Sequence, residues 1–575
     1  MITPYFEEEL TRLRELGTVF SKAHPSIAPM LSGPQSDPDV ERLLEGTAFL
    51  TALLRQKLDD YFPEMVQDLF QMVAPQHLNS TPSTTILQFE PKSTARSSTR
   101  IPAGVFAASV PVEGTACLFQ TTQSVEMHPL TLQDVALLEQ PGQPPAIQLT
   151  LELNDLRLSD WRPESLRLFL CDDYARAADV YLLLRHYCKR IHVKPIGPGE
   201  SAIWPANAIR PVGFYENKNL MPQAAHVSSV MQGLQDYFVL PQKYLFLDIV
   251  GWDTWRARGS GHRLTLTFEL ENPPFLPARL TRDHIALHAT PAINVFPRDG
   301  EPIFVDHRKT DYPVRPSNGQ PHHFAVHSVD EVKGFAQGSD GAEQLYQPFE
   351  CFRPGSGSAY FHLSRRPGAS GDNDELLVSL VYPPRAIPVP ETLSLRLSCT
   401  NGKLPERLKK GDISIHASGC PEYVSVTNLT APTPADSARL GGHALWRLLS
   451  YLSLGYQSLE NLQSLKSLLE LYVSADVYDY AARANRRRIE GIERLSARGI
   501  DRMMKGSLLR GRDLLMSVSG THFASRGDLY LFGCVLDRFF SQYASINSFT
   551  RFVLRDSSTG GQYAWPLRSG NRPLL

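Results

Sequence analysis

The sequence predicts an α+β multidomain protein, with an N-terminal helical bundle segment, β-sandwich-rich middle domains and a mixed α/β C-terminal domain. Apolar residues recur at helical spacing near both ends of the chain, whereas the middle alternates between apolar and polar residues as strands do. The 575 residues exceed what one hydrophobic core usually serves, so we expect several domains. The predicted divisions are 1–80 for the helical segment, 81–275 and 276–430 for two β-rich domains, and 431–575 for the C-terminal domain.

The most informative stretch is a helix predicted over residues 37–61. Asp37 is placed to cap its first N–H groups, and Pro38 suits the first helical position. At about 100° per residue, most apolar residues fall on one broad stripe, whereas two fall nearly opposite, beside Gly46. The stripe comprises Val40, Leu43, Leu44, Leu50, Leu54, Leu58 and Tyr61, and the opposite pair is Phe49 and Leu53.

Two apolar faces on one helix predict two neighbours, because a helix on the surface of a single domain needs only one such face. Two explanations remain open at this point. The helix is either buried inside its own domain, or it is a central strut in a bundle shared between chains. The pattern of residues alone does not choose between them.

The other elements follow from the same two periodicities. A first helix is predicted over 4–23, and a short one starts at Pro63 and stops before Pro75. Further helices are predicted over 172–189, 445–452, 459–472 and 532–543. Strands are predicted at 86–89, 147–153, 166–170, 244–250, 264–270, 376–382 and 393–399.

Composition indicates the cellular compartment of the protein and the kinds of partner that its charge favours. Lysine and arginine total 58 against 60 acidic residues, so no global field favours nucleic acid or an anionic surface. Seven cysteines are scattered without a C-x-x-C pair, which predicts reduced thiols in a cytosolic protein. Residues 7–9 are all glutamate, where a signal peptide would be basic and then apolar. No apolar run approaches the roughly 20 residues that span a bilayer, so we expect a soluble protein that stays where it is made.

The sequence shows no catalytic or metal-binding motif. It contains no G-x-S-x-G, P-loop, H-E-x-x-H or dinucleotide-binding glycine pattern. His284 and His288 have the metal spacing of a helix, but their segment favours a strand at least as well, which would separate them by about 13 Å. His322, His323 and His327 cluster on a polar loop without a nearby cysteine. We predict no catalytic residue, no metal site and no cofactor.

Arg486–Arg488 form a basic run, with Arg483, Arg494 and Arg498 nearby. Such a run can bind phosphate or nucleic acid, but few aromatic residues are interleaved with it for base stacking. A solvated helix face or an acidic protein partner is the favoured explanation, because charge runs usually behave in one of these two ways.

Four blocks of sequence, in order along the chain, resemble one bacterial family. They are DPDVERLLEG at 37–46, LHATPAINVFP at 287–297, LWRLLSYLSL at 445–454 and LFGCVLDRFF at 531–540, followed by Trp565-Pro566. These blocks are similar to those of the TssF family, the baseplate subunits of the bacterial type VI secretion system. Because the blocks span almost the whole chain, the resemblance covers the protein rather than one motif.

The resemblance implies a structural assembly protein that is not an enzyme and that takes no cofactor, nucleic acid or small-molecule substrate. Family members associate as two copies with one TssG, and helices of the three chains form a core bundle. The resulting wedge surrounds the VgrG spike, contacts TssK and the sheath-linked TssE, and docks on an inner-membrane complex at the cytoplasmic face of the inner membrane. The interaction residues it implies in the bundle are Val40, Leu43, Leu44, Phe49, Leu50, Leu53, Leu54 and Leu58, with Trp446, Phe532, Phe539, Phe540 and Tyr543 as further candidates near the C-terminus.

Two other classes of function compete with the structural one. A secreted hydrolytic effector toxin would need a nucleophile and a base, and toxicity on isolated expression would support it. A nucleic-acid-binding regulator would use the Arg486–Arg488 run, and salt-dependent binding to duplex DNA would support it.

Overall fold

The computed structural model describes most of the chain in separate ranges. They are residues 6–16 without 8, 12 and 15, then 38–53, 78–92, 97–214, 219–221, 232–317, 320–336, 343–352, 358–367, 374–383, 388–436, 461–474, 479–504, 507–542, 544 and 548–570. The helices predicted from Pro63 and over 445–452 lie outside the described residues.

The α-helices are α1, whose helical residues lie within 6–16, α2 (38–53), α3 (Tyr174–Leu182), α4 (Gln232–Val239), α5 (Leu462–Glu470), α6 (Tyr480–Glu490) and α7 (Arg526–Gln542). A π-helical turn, Leu183–Tyr187, continues α3, which confirms the helix predicted over 172–189. Short 3-10 turns lie at Ala206–Ala208, Pro241–Leu245, Trp252–Thr254, Arg282–His284, Pro321–His323, Phe349–Cys351, Leu404–Arg407 and Gly520–His522. No helix in the described ranges is both long enough and apolar enough to cross a membrane.

The strands confirm the alternation seen in the sequence. Those of the first half are β1 (Thr84–Pro91), β2 (Thr99–Ile101), β3 (Phe106–Ser109), β4 (Leu118–Thr121), β5 (Val125–Met127), β6 (Leu130–Leu138), β7 (Ala146–Leu153), β8 (Leu166–Leu170), β9 (Cys188–Ile196), β10 (Ala202–Pro205), β11 (Ile209–Pro211), β12 (Phe246–Ile249) and β13 (Arg263–Leu270). Those that follow are β14 (Ile285–Leu287), β15 (Ala289–Ile293), β16 (Phe296–Asp299), β17 (Ile303–Val305), β18 (Tyr312–Pro313), β19 (Ala325–Ala336), β20 (Glu343–Pro348), β21 (Tyr360–Pro367), β22 (Asp374–Val381), β23 (Glu391–Thr400), β24 (Ile413–His416) and β25 (Val424–Asn428). The C-terminal strands are β26 (Ile492–Met504), β27 (Ser507–Val518), β28 (Ser548–Asp556), β29 (Gln562–Ala564) and β30 (Arg568–Ser569).

These strands form several sheets. The orders are β24-β3-β4-β15-β1-β25, β10-β9-β13-β7-β6, β11-β12-β8-β14, the ribbon β2-β5, and β16-β23-β19-β20-β21-β22-β18 with β17 on β23. The C-terminal sheet runs β26-β27-β28-β29, with β30 on β28. Almost all neighbours are antiparallel, and β27–β28 is a parallel pair whose strands are connected through α7. The predicted α+β class with a mixed C-terminal domain is confirmed.

Three hydrophobic cores organise the sheets. The first core joins Ile86 and residues of 130–295 with residues of 465–565, so the C-terminal helices pack on the first β-rich region. The second core combines residues of 87–127 and Ala292 with residues of 404–426. The buried residues of the third core all come from one stretch, 296–399, and Phe106 and Leu118 pack against them. Hydrogen bonds between Asn294 and Asn401 close the base of that stretch, since Asn294 donates from Nδ2 to Oδ1 of Asn401 over 2.8 Å.

The predicted boundary after residue 275 does not coincide with a division between sheets. Strands β14 and β15 follow that boundary but pair with β8 and β1, which precede it, and β24 and β25 pair with β3 and β1. The cause is that periodicity identifies a strand without identifying its partner, which in an antiparallel sheet can lie far away in the sequence.

Candidate interaction surface

Helix α2 carries an apolar face that stays exposed in the part of the chain that the structure describes. Leu43, Phe49, Leu50 and Leu53 keep 69%, 46%, 61% and 41% of their areas exposed, and we call these four residues the α2 face. Positions three or four apart lie on one side of a helix, which brings Leu43, Leu50 and Leu53 together around Gly46. No atom lies within 4 Å of the place that a Cβ at Gly46 would take, so a neighbour has room to approach the backbone there.

The opposite side of α2 packs within the chain. Ala48 and Ala52, one turn apart, are fully buried, and Val40 and Leu44 on the same side are half-buried. Alanine side chains allow the covering residues to approach the helix backbone closely. Within the described residues, the helix is therefore packed along one side and exposed along the other.

Helix α1 lies against the border between these two sides. The rings of Phe6 and Phe49 meet edge to face, with their centroids 6.4 Å apart. Farther along, Nη2 of Arg14 lies 2.9 Å from Oε1 of Glu41 in an exposed ion pair. Since exposed pairs contribute at most about 1 kcal/mol, the apolar contact and the buried alanines carry most of this packing.

The structure divides the predicted apolar stripe between the two sides. Leu43 and Leu50 are exposed together with Phe49 and Leu53, whereas Val40 and Leu44 turn towards the buried alanines. The stripe is broad, and which part of it is covered depends on neighbouring helices that the sequence pattern does not specify. The remaining predicted residues of this helix, Leu54, Leu58 and Tyr61, lie outside the described residues.

Three of the five C-terminal candidates are buried and do not line a surface. Phe532, Phe539 and Phe540 are at most 2% exposed and belong to the first core, where α7 packs on β28. An apolar helix face was correctly identified in the sequence, but the chain covers it with its own sheet, which leaves no area for a partner. Trp446 and Tyr543 lie outside the described residues.

The arginine run is not solvated throughout: Arg487 is exposed, but the burial of Arg488 contradicts the solvated helix face that was one of the two explanations favoured from the sequence. Arg488 is 5% exposed, and its Nε lies 3.0 Å from Oδ2 of Asp528. Arg486 donates to the carbonyl oxygen of Ser474, and Arg487 donates to that of Thr521. The run therefore attaches α6 to its surroundings within the chain, because consecutive residues on a helix point in different directions.

The two histidine clusters do not assemble into metal sites. His288 follows β14, which confirms the strand between it and His284, and its Nε2 accepts a hydrogen bond from the backbone N–H of His128. His323 contacts the hydroxyl of Thr115 with its Nδ1 at 2.8 Å. Among the described residues, no group of three or more His, Cys, Asp or Glu side chains is arranged to hold a metal ion.

Burial also keeps four of the seven cysteines unreactive. It raises the pKa of the Cys117 thiol to about 11, and those of the Cys188, Cys399 and Cys534 thiols to about 12. A thiol with so high a pKa stays protonated near neutral pH and is a poor nucleophile. These four cysteines are core residues rather than candidates for catalysis.

The sequence analysis missed a second apolar group on the sheet of the third core. Phe304, Phe335 and Leu345 are 51%, 38% and 54% exposed. Phe304 and Phe335 both lie opposite Thr392 in register, so they flank it on one face of the sheet. The available signal was the uninterrupted apolar run of β17 (303–305), because a strand with one buried face must expose its middle residue.

The chain is similar over its full length to proteins of one secretion system. The family described as type VI secretion system, TssF, matches residues 1–572. Over 625 residues the chain is 30% identical to type VI secretion system component TssF1 of Pseudomonas aeruginosa, with 99% of each sequence covered. One chain of the TssK-TssF-TssG baseplate subcomplex, solved by cryo-electron microscopy, matches with a TM-score of 0.77 and 28% identity, covering 92% of this chain and 99% of that one. A chain of the type VI secretion system baseplate complex matches with a TM-score of 0.63 and 28% identity, covering 100% of both.

Proposed function

The chain belongs to the TssF family of type VI secretion system baseplate subunits, and we propose that it serves as a structural subunit of a baseplate wedge. In this proposal two copies associate with one TssG, and the wedge scaffolds the contractile tail around the spike. The observation that carries it is the α2 face, an exposed apolar surface on a helix already packed along its other side.

The α2 face favours association with other chains because covering it is energetically favourable. Complete burial of a Leu or Phe side chain contributes about 1.5–3 kcal/mol. The four residues are about half exposed, so covering all four contributes on the order of 4 kcal/mol before the entropic cost of association. An exposed cluster of large apolar residues on one helix is typical of a protein interface. The second copy of the chain and TssG are the partners that we propose for it.

The proposal extends to the other components of the assembly. A chain with a TM-score of 0.77 to this one occurs in a complex with TssK and TssG, so we include TssK among the partners. The family resemblance supports contacts with TssE and the VgrG spike, and attachment through the baseplate to an inner-membrane complex. The proposed location of the assembled protein is the cytoplasmic face of the inner membrane.

The competing functions receive less support. A regulator that binds nucleic acid through Arg486–Arg488 would need those side chains free, but Arg488 is buried against Asp528 and its two neighbours bond backbone carbonyls. A hydrolytic effector would need an activated nucleophile, whereas burial raises the pKa of the Cys117 and Cys534 thiols. The relatives are described as baseplate components, which favours the structural role.

Co-purification with TssG tests the proposal. We expect the double variant Phe49→Glu/Leu53→Glu to fold but to lose TssG, because each glutamate would place an uncompensated charge in the interface. Burying such a charge costs several kcal/mol, enough to dissociate a bundle. The measurement is the mass of the complex obtained when the chain is co-expressed with TssG, with folding checked by circular dichroism.

The matched control is Thr47→Glu/Thr51→Glu on the same helix. Both threonines are exposed, their hydroxyls bond only carbonyls of their own helix, and they lie beside the α2 face. This variant adds the same charge and is expected to retain TssG. A complex of undiminished mass with Phe49→Glu/Leu53→Glu would contradict the role proposed for the α2 face.

A further inference from the structure

Strand β26 forms the outer edge of the C-terminal sheet and carries a row of exposed arginines. Its partner on one side is β27, and no strand of the described chain pairs with its other edge. Arg494, Arg498 and Arg502 are all exposed. Within the described residues, the pairing of β27 with β28 begins at Arg510.

The three arginines share one face of the sheet. Side chains alternate along a strand, and the register of β26 with β27 is regular from Arg494 to the end of the hairpin. Leu495 and Ala497 pack against the first core, so residues of the other parity point away from it. Successive arginines are four residues apart, which corresponds to about 13 Å along the strand.

These charges are not neutralised within the part of the chain that the structure describes. Arg494, Arg498 and Arg502 form no ion pair there, whereas Arg510 pairs with Asp501 on the opposite face of the hairpin. On the same outward face, Asp513 of β27 is already 2.9 Å from Arg551 of β28. Exposed Arg555 lies in register with Ser517, which in turn opposes Arg494, and it adds one more positive charge.

We infer that this face binds an acidic, extended segment of a partner protein, laid along the free edge of β26. An added strand would bond the backbone groups of that edge, with which no described strand pairs, and have the same two-residue alternation. Carboxylates at every fourth residue of the segment would then face the three arginines in turn. Ile500, between Arg498 and Arg502, and half-exposed Leu515 of β27 provide apolar contact between the charges.

Charge and composition of the face favour a protein segment over nucleic acid. Binding of single strands relies on aromatic side chains for base stacking. Phe549, which lies on the outward side of β28 and whose ring covers Gly511, is fully buried, and no other aromatic residue of the described sheet is exposed on this face. The surface is separate from the α2 face, and the inference does not depend on which chain covers that helix.

Site-specific photo-crosslinking in the full chain tests the inference. A benzoylphenylalanine replaces Ile500, the protein is expressed in its own host cells, and crosslinked peptides are sequenced by mass spectrometry. We expect crosslinks to a segment with Asp or Glu at every fourth position. Introducing Arg494→Glu, Arg498→Glu and Arg502→Glu should reduce their yield at least tenfold, and reversing the acidic residues of the captured segment should restore it.

The control carries Arg157→Glu, Arg256→Glu and Arg279→Glu, which change the net charge equally at exposed arginines away from β26. Its crosslink yield should stay within twofold of the parent protein. A captured segment that is neutral or basic, a yield unaffected by the β26 reversals, the absence of any crosslink at position 500, or crosslinks to nucleic acid would each overturn the inference.

Discussion

Arg488 and Asp528 form an ion pair in the interior of the protein, with Nε of the arginine 3.0 Å from Oδ2 of the carboxylate and both side chains at most 7% exposed. The hydroxyls of Tyr174 and Tyr237 donate to Oδ1 of Asp528 over 2.9 and 3.3 Å, and Asn485 accepts from Nη1 of Arg488. The pair therefore connects four helices, α3, α4, α6 and α7. Burial, together with the nearby carboxylate, raises the pKa of both tyrosines, which keeps them protonated as donors.

Removing one member of this pair should destabilise the protein strongly. We expect Arg488→Met to lower the free energy of unfolding by about 3–5 kcal/mol, because Asp528 would remain buried without its partner. Arg487→Met, next in sequence but exposed, should cost less than about 1 kcal/mol. Urea unfolding followed by circular dichroism measures both. An equal decrease in the free energy of unfolding in the two variants would contradict the stabilising role of the buried ion pair.

Two buried histidines should make stability fall in mild acid. Burial lowers the pKa of His128 to about 4 and that of His288, which also faces His128, to about 3. Unfolded histidine titrates near pH 6.5, so below that value the unfolded state binds protons that the native state does not. The stability present above pH 6.5 is then lost by about 1.4 kcal/mol per pH unit for each histidine until the native pKa values are reached.

Tryptophan fluorescence in urea can follow this effect, because the ring of Trp161 is 5.6 Å from that of His128. We expect the urea midpoint to fall between pH 7.5 and pH 5. The variant His288→Asn should have a shallower pH dependence, since asparagine does not titrate and tolerates the positive φ of 55° at this position. A urea midpoint independent of pH in the parent protein would contradict the lowered pKa values of these two histidines.

Substitution of Gly46 by alanine should change the stability of the isolated chain and its association with TssG in opposite directions. Glycine within a helix costs about 1 kcal/mol relative to alanine, and the site of the added methyl group is empty. Gly46→Ala is therefore expected to raise the thermal unfolding temperature of the isolated chain slightly. If a partner helix approaches the α2 face at this glycine, the same variant should retain less TssG on co-purification. Unchanged retention of TssG would indicate that no backbone comes close there.

Gly527 should be intolerant of any side chain because α7 crosses α3 at this residue. A Cβ there would lie 2.1 Å from the carbonyl oxygen of Ala178, and the N–H of Gly527 donates to the side chain of Asp179. We expect Gly527→Ala to destabilise the protein by about 1–3 kcal/mol, as overpacking does. Gly499→Ala, in a position with no atom within 4 Å, is the control and should have little effect on the urea midpoint.

The sequence predicted those features that depend on local pattern. The existence of helix α2 follows from the order of residues alone, as does the alternation in β7, β13 and β23, whereas the division of α2 into a covered and an exposed side does not. The pairing of strands distant in sequence could not be predicted, because nothing in the pattern of β1 identifies β25 as its neighbour. For the same reason the sequence did not distinguish buried Arg488 from exposed Arg487, since the carboxylate that pairs with Arg488 is 40 residues away. The arginines of β26 have a spacing of four, which is equally compatible with one face of a helix.

The third core has a consequence for how such a protein can diverge. Its sheet leaves the rest of the chain at Asn294 and returns at Asn401, where the backbone N–H of Asn401 donates to Oδ1 of Asn294 over 2.7 Å. The points at which the chain enters and leaves this sheet are thus adjacent, so the stretch between them is an insertion into the rest of the fold. We expect its length and outline to tolerate change more readily than the strand order of the sheet that anchors it. Variation in this lobe is then a means to fit new neighbours without refolding the remainder of the subunit.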